Sequence, residues 1–319
     1  MLFPISGVEV SPITPFVVAL FVSFFTSMGG VSGAFLLLPF QMSFLGYTSP
    51  SVSATNQLFN VIAIPSGVYR YCKEGRMVWP LTWTVILGTL PGVFIGAILR
   101  IGYLPDPKNF KLFAALTLLY IGMRMVRDLI RKPLEGIDKA SSKKRFQELV
   151  REHRRKAENS RGKGKEALPA VTIIKFSLKR IKYDFYGEQF DVPVIGVFSL
   201  SFIVGIVGGI YGIGGGAIIA PFFVSIFGLP VYTVAGAALM GTFVTSIAGV
   251  IFYQGIAPFY PNMSVAPDWL LGSLFGLGGI VGMYLGARFQ KYVPAKVIKW
   301  MLSAIIIFTA FKYISGFFL

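Results

Sequence analysis

Two glycine-rich segments carry the groups best suited to bind a small anion. They read Gly29-Gly30-Val31-Ser32-Gly33 and Gly212-Ile213-Gly214-Gly215-Gly216, and each precedes a short apolar run that contains a proline. A helix that begins at such a segment directs its unpaired N–H groups and the positive end of its dipole toward it. Because glycine lets a ligand approach the backbone closely, the segments predict oxyanion binding by backbone amides. The candidate amides are those of Ser32, Gly33, Gly214, Gly215 and Gly216. The same glycines would also permit close helix crossing.

Uncharged hydrogen-bond donors lie in two further apolar segments. Asn56, Gln57 and Asn60 are close in sequence, and a spacing of four places Asn56 and Asn60 on one helical face. Thr242 and Thr245 lie in the corresponding segment of the second half. Amides and hydroxyls donate hydrogen bonds to an oxyanion without adding charge, so these five residues are candidate substrate ligands. Hydrogen bonding between helices explains them equally well.

The residues of an enzyme active site are missing from the sequence. Its fourteen acidic residues fall in or beside predicted loops, and the single histidine, His153, lies in a basic stretch. There is no carboxylate pair for acid–base work, no set of metal ligands, and no nucleophile with a matching base. We therefore expect neither an enzyme, nor a metal site, nor a cofactor. With Cys72 as the only cysteine, an intrachain disulfide is excluded.

The composition predicts that the elements carrying these groups lie in a membrane. Hydrophobic residues make up 54% of the 319 residues and charged residues only 14%, whereas soluble domains are nearer a quarter charged. The net charge is +16, and residues 131–187 hold 17 basic and 7 acidic residues, or +10 of it. This basic segment is predicted to be cytoplasmic, where it would contact anionic lipid headgroups. We expect no nucleic-acid partner, and the oligomeric state is left open.

The sequence repeats its own pattern. The stretch 30–71 aligns with 212–253, and the stretch 79–97 aligns with 269–287. The matched pairs include Gly33 and Gly215, Pro39 and Pro221, Tyr71 and Tyr253, Trp79 and Trp269, Gly88 and Gly278, Gly92 and Gly282, and Gly96 and Gly286. Because distinct residue types match in the same order, we expect two related halves. The glycines spaced by four are predicted to serve close helix packing.

Basic residues predict the orientation of the loops. The turns at 70–76 and 288–296 and the segment 131–187 are basic and predicted to be cytoplasmic, whereas 46–50, 100–108 and 255–267 are predicted to lie outside. These positions agree only if 13–45 and 193–229 each return to their starting side, either as re-entrant segments or as double crossings. Both termini then lie outside, and the two halves face opposite ways, as in many secondary transporters.

These patterns together predict an all-α polytopic membrane protein, with no strands. It would contain two inverted-topology repeats, each with a glycine-broken helical hairpin plus three transmembrane helices. The first repeat would comprise residues 1–130, the basic cytoplasmic loop residues 131–190, and the second repeat residues 191–319. We expect a multi-pass protein of the plasma membrane.

The glycine segments resemble those of a known family. The stretch from Gly212 through Pro221 and Gly228 is similar to the second-half motif of the sulfite exporter TauE/SafE family, also described as 4-toluene sulfonate uptake permeases. The first half, from Gly29 through Pro39 to Asn56, is a looser match, with Ser32 where glycine is common. The resemblance covers both apolar halves but not the basic segment. It implies transport of sulfite, sulfoacetate or other organosulfonates.

The resulting expectation is a permease or exporter of small sulfur-containing oxyanions that works by alternating access. Three alternatives remain open at this point: a passive channel for small anions with the same site, a transporter of another carboxylate or oxyanion, and a membrane-embedded binding or scaffolding protein. Direction of transport and coupling ion are left open.

Overall fold

A computed structural model describes residues 1–28, 32–73, 75–130, 171–185, 187–289 and 295–318. Within these ranges the chain is mostly helical, and six helices are long and apolar enough to cross a bilayer. The prediction of a multi-pass α-helical membrane protein is confirmed.

The helices occur in two sets along the chain. The first set comprises α1 (Ile13–Met28), α2 (Ala34–Ser43), α3 (Ser51–Ala63), α4 (Pro65–Lys73), α5 (Trp79–Gly102) and α6 (Pro107–Ile130). The second comprises α7 (Val194–Tyr211), α8 (Ile219–Phe227), α9 (Val231–Ile256), α10 (Trp269–Phe289) and α11 (Ala295–Phe318). Pro65 has no N–H to donate, and α3 and α4 are separate helices at this point, whereas α9 continues through the equivalent region.

Helices α1 and α2 form one hairpin, and helices α7 and α8 form a second. In each hairpin the chain returns to the end of the molecule at which the hairpin started. At about 1.5 Å per residue, α2 is about 15 Å long and α8 about 14 Å, roughly half the thickness of a hydrocarbon core. The start of α7 lies beside the end of α8, since a Cβ atom built on Gly196 would be 3.2 Å from the Phe227 ring. The chain before α1 and the chain after α2 meet in one polar cluster. In it Ser6 donates to Asp268, whose N–H donates to Thr55.

Glycines bring two pairs of helices into backbone contact. On α5, a Cβ atom built on Gly88 would lie 2.7 Å from the Phe198 carbonyl oxygen of α7, and one built on Gly92 would lie 2.5 Å from that of Phe202. On α10, three glycines spaced by four meet carbonyl oxygens of α1 in the same way; the pairs are Gly278 with Phe16, Gly282 with Leu20 and Gly286 with Phe24. These contacts leave no space for a side chain between the helices, which agrees with the packing role predicted for them.

The loops that were predicted to share the outer side lie at one end of the helices. Ser51 N–H donates to Ser264 O (3.0 Å), Ser264 Oγ donates to Ile5 O (2.7 Å), and Arg100 Nη2 donates to Thr48 O (2.8 Å). We call this end, made by residues 1–10, 46–50, 103–106 and 260–268, the Arg100 end. At the opposite end, Tyr183 bonds to Thr233 near the start of α9.

The described residues also form five strands, and the sequence patterns predicted none of them. A short ribbon is made by β1 (Leu2–Phe3) and β2 (Val8–Glu9), and an antiparallel sheet by β3 (Val171–Phe176), β4 (Arg180–Phe185) and β5 (Glu188–Pro193). The sheet occupies the last part of the predicted basic loop, and β5 crosses the predicted boundary at 190. The sheet forms because buried and more exposed side chains alternate along β4, a pattern that the high charge of the segment conceals in the sequence. In β4, Ile181, Tyr183 and Phe185 are buried while Lys182 is exposed.

The sheet is anchored through Tyr183. Burial raises the pKa of Tyr183 to about 12, and its hydroxyl stays within 3.0 Å of Thr233 Oγ1. Residues 131–170 lie outside the described part of the chain, and with them the basic clusters at 143–145 and 154–156.

The glycine contacts generate a stability prediction. We expect Gly92→Ala to lower the free energy of unfolding by about 1–3 kcal/mol, because the added methyl forces α5 away from the Phe202 carbonyl. Gly102→Ala is the matched control, since a Cβ atom there meets nothing within 4 Å. Thermal unfolding of both variants in detergent measures the difference. Equal midpoints for the two variants would contradict the packing role.

Candidate functional site

The second glycine segment is a left-handed break between α7 and α8. Gly212 caps α7 with φ 75° and Gly214 follows with φ 77°, a region that side-chain-bearing residues rarely adopt. Gly212 also packs directly on the Ser53 backbone of α3. The break is therefore held in the interior of the protein, where residues 211–220 are buried.

The backbone donors of this break are only partly paired. Gly215 N–H donates to Thr245 Oγ1 (3.0 Å), and Thr245 in turn donates to Gly241 O (2.7 Å) of α9. Thr242 donates to Ala238 O of its own helix and lies against Gly214 and Gly216. Among the described residues, the N–H groups of Gly212 and Ile213 donate to Gly208 O, whereas those of Gly214 and Gly216 donate to no backbone carbonyl. These donors and the α8 dipole make the break electropositive without any charged residue.

The first break is described only at its end. Gly29, Gly30 and Val31 lie outside the described residues, and Ser32 and Gly33 lead into α2. Ser32 is buried, and its Oγ accepts from Ala34 N–H (3.3 Å), which satisfies one amide of the α2 start. Gly33 packs against Phe59 and against Ser23 of α1, whose buried Oγ has no hydrogen-bond partner.

Asn60 links the two breaks. Ser32 Oγ donates to Asn60 Oδ1 (2.7 Å), and Asn60 Nδ2 donates to the carbonyl oxygen of Ile213 (2.9 Å) and to Ser246 Oγ (3.3 Å). One amide from α3 thus contacts the start of α2, the α7–α8 break and α9. In an interior that excludes water, each of these hydrogen bonds is costly to lose.

A second hydrogen bond joins the same two segments. Tyr211, at the end of α7, donates from its hydroxyl to the carbonyl oxygen of Phe35 (3.1 Å) in the first turn of α2. Together, the Ser32–Asn60–Ile213 chain and the Tyr211–Phe35 bond hold the breaks in contact. We refer to these two connections as the break clasp.

Asn56 and Gln57 differ from Asn60 in their surroundings. Asn56 Nδ2 donates to Ala34 O (2.9 Å), and Asn56 Oδ1 accepts from Gln41 (3.4 Å), so Asn56 supports α2. Gln57 is directed toward Gly249 on α9, and neither polar atom of its buried amide has a partner. The structure therefore gathers the predicted residues around the two breaks, except for Gln57, whose amide lies against Gly249.

Comparison with known proteins identifies the family. A family model described as sulfite exporter TauE/SafE matches residues 16–313, nearly the whole chain. The chain belongs to the sulfite exporter TauE/SafE family. The resemblance carried by the glycine segments is thereby confirmed. No curated protein and no solved structure matches the chain.

Membership makes the protein a membrane transporter of the sulfite or anion export type and not an enzyme. Membership in this transporter family implies that the substrate is a small anion. Among the described residues, no group of three or more His, Cys, Asp or Glu side chains could hold a metal ion.

Two residues near the TauE/SafE breaks were not among the candidates. Thr89 of α5 packs against Gly215, and its hydroxyl is turned back to Val85 O (2.7 Å). Thr89 lies between Gly88 and Gly92 on a helix that sequence reasoning treated as packing alone. Ser246 joins Asn60 from α9. The sequence signal that could have identified Ser246 was its position about one helical turn beyond Thr242 and directly after Thr245.

The break clasp generates a second prediction. Asn60→Leu removes three hydrogen bonds and leaves the Ser32 hydroxyl proton without an acceptor and the Ile213 carbonyl without a donor, at about 1–3 kcal/mol for each orphaned group. Ser66→Ala is the control, because Ser66 donates only to Ala63 O nearby in the chain. Thermal unfolding in detergent should show a much lower midpoint for the Asn60 variant. Matching midpoints would show that the clasp does not hold the breaks together.

Proposed function

We propose that the protein moves small sulfur-containing oxyanions, such as sulfite or organosulfonates, across the plasma membrane by alternating access. The observation that carries the proposal is the pair of helix breaks joined by Asn60. The second break contributes unpaired amides, and the first contributes the Ser32 hydroxyl and the start of α2. An oxyanion accepts hydrogen bonds at every oxygen, so it matches a region rich in neutral donors.

The proposed site comprises the amides around Ser32 and Gly33 and those of Gly214, Gly215 and Gly216, with neutral side-chain donors beside them. Asn60 and Thr242 are nearest to the second break, and Thr245 already accepts from Gly215. Asn56 and Gln57 are kept as ligands in the proposal. Asn56 would have to release the Ala34 carbonyl, and Gln57 already has free donors.

Substrate binding in this proposal competes with the break clasp. The donors that an oxyanion would take, Ser32 Oγ–H and Asn60 Nδ2–H, are the ones that hold the breaks together. A bound anion that captures them would release the Ile213 carbonyl and loosen the contact between α2 and the α7–α8 break. Binding of the anion would then also promote movement between the two halves, because the affinity for the substrate differs between the clasped and the loosened arrangement.

Matching contacts support the inverted-repeat part of the proposal. Gly88 of α5 meets the Phe198 carbonyl of α7. The equivalent glycine of the second half, Gly278 of α10, meets the Phe16 carbonyl of α1, and Phe16 is the first-half equivalent of Phe198. Exchanging the two halves therefore maps one contact set onto the other. A pseudo-two-fold axis in the membrane plane would produce this pattern, and transporters with such axes bind substrate where broken helices meet.

The proposed orientation places the Arg100 end outside and the sheet of β3–β5 in the cytoplasm. Both chain ends lie at the Arg100 end. Ser264 contacts Ile5 there, and Tyr313 near the end of α11 accepts from Ser43 and donates to Pro39. Basic residues concentrate at the other end, where the segment 131–187 would face anionic lipid headgroups.

Transport by purified protein in proteoliposomes tests the function directly. We expect saturable uptake of labelled sulfite that accelerates when unlabelled sulfite is present on the opposite side, because a carrier returns faster when loaded. Flux that neither saturates nor accelerates would indicate a passive channel instead. No flux of sulfite, organosulfonates or carboxylates above that of empty liposomes would overturn the proposal.

A paired substitution tests the break amides. A Cβ atom on Gly215 would collide with Thr89, so the collision can be relieved by trimming a side chain. We expect Gly215→Ala combined with Thr89→Gly to insert and fold, yet to transport sulfite at least about tenfold more slowly, because the methyl group covers the amides. Thr89→Gly alone is the control. Equal flux through the two proteins would remove Gly215 from the site.

A further inference from the structure

Arg100 is a fully buried cation near one end of the helices. It lies in the last turn of α5 and is 0% exposed. Its guanidinium donates to the carbonyl oxygens of Leu104 and Thr48, and its Cζ atom is 3.6 Å from the centre of the Phe110 ring. The sequence pattern placed Arg100 among basic residues that mark helix ends. Because its side chain is buried, Arg100 differs from the exposed basic loop residues that determine membrane topology.

The charge of Arg100 is not neutralised by a carboxylate. Among the described residues it forms no salt bridge, and the ion pairs present are those of Asp191 with Arg180 and Lys182 in the sheet. The buried Asp268 is already occupied, since its carboxylate accepts from Ser6 and from Leu271 N–H. A buried charge without a counter-ion is costly, even beside helix C-terminal carbonyls and an aromatic ring.

Two buried hydrogen-bond donors near this charge lack partners. Among the described residues, neither Arg100 Nε nor the hydroxyl group of Tyr253 has a hydrogen-bond partner. Tyr253 of α9 packs with Ala97 and Ile101, the neighbours of Arg100 on α5, and interacts electrostatically with Arg100. An unmade hydrogen bond at each of two adjacent donors is a cost that an incoming acceptor would remove.

These donors lie between the Arg100 end and the second break. Tyr253 packs with Ala54 of α3, and the preceding residue, Ser53, is in backbone contact with Gly212. Ser53 Oγ also donates to Ile210 O (3.3 Å), at the end of α7. Packed residues therefore connect Arg100, through Tyr253 and α3, to the break that is proposed to bind the substrate.

We propose that Arg100 and Tyr253 form a second oxyanion-binding site, which receives the substrate on its way between the Arg100 end and the helix breaks. The inference rests on the proposed function. The guanidinium supplies a full positive charge, and the two free donors supply directed hydrogen bonds. A small oxyanion such as sulfite satisfies both the charge and the donors, whereas a cation or a neutral solute leaves the charge without a counter-ion. The site selects for anions before they reach the uncharged break region.

Sulfite binding to the full-length protein in detergent, measured by calorimetry, tests the site. Arg100→Gln is expected to weaken sulfite binding by about tenfold or more, in line with the loss of a charge-assisted hydrogen bond. Lys108→Gln is the matched control, because Lys108 is an exposed cation at the same end and its charge is screened by solvent. We expect the control to bind as the wild type does.

Tyr253→Phe keeps the test valid if the arginine variant does not fold. Removing an unpaired buried hydroxyl should leave thermal stability unchanged or raised, while sulfite binding weakens by about threefold or more. A purely structural role for Arg100 and Tyr253 would not give this combination. Unchanged sulfite affinity in Tyr253→Phe and in folded Arg100→Gln overturns the second site alone. Absence of sulfite binding by the wild type overturns both this site and the use of sulfite as substrate.

Discussion

Backbone-to-backbone contact at glycine sets how closely the helices of this protein pack and where they end. In α5 and α10, glycines spaced by four admit carbonyl groups of α7 and α1 so closely that a methyl group has no space. Without a hydrophobic driving force between helices in lipid, such close packing is a main source of association. Because α1 and α7 end at the two breaks, the same contacts fix where those breaks lie. The depth of the breaks in the protein therefore follows from the packing of these helices.

Irregular backbone inside a membrane protein must still satisfy its hydrogen-bonding groups. The two breaks do so unequally. Carbonyl groups at the breaks accept hydrogen bonds from Asn60 and Tyr211, whereas the amide groups of Gly214 and Gly216 donate to no backbone carbonyl among the described residues. An excess of donors over acceptors gives the region a preference for negative charge. Arg100 and Tyr253 extend the same imbalance toward one end of the helices.

Composition and spacing predicted the membrane location and the broken hairpins, and the residues of the glycine segments carried the resemblance to the family, because each depends on patterns that are local in sequence. The glycines spaced by four also predicted close packing, although their partner helices could not be read from the chain. Asn60 could not be assigned from sequence, since its hydrogen bonds reach residues 28, 153 and 186 positions away. The burial of Arg100 could not be predicted for a related reason: its place near a helix end is visible in the sequence, but only the fold shows that its side chain is buried. The sheet was missed because the high charge of its region concealed an alternation of buried residues in β4.

The junction between β5 and α7 has a mechanical consequence. Pro193 is the last residue of the strand and the N-cap of the helix, so no linker separates the two elements. α7 has 18 residues and is therefore about 27 Å long, with the sheet at one end and Gly212 at the other. Because α7 is about 27 Å long, a rotation of the sheet together with α7 by about 10° would displace the Gly212 end of the helix by about 5 Å. A movement of the small sheet would therefore be transmitted to the α7–α8 break through a single helix, α7.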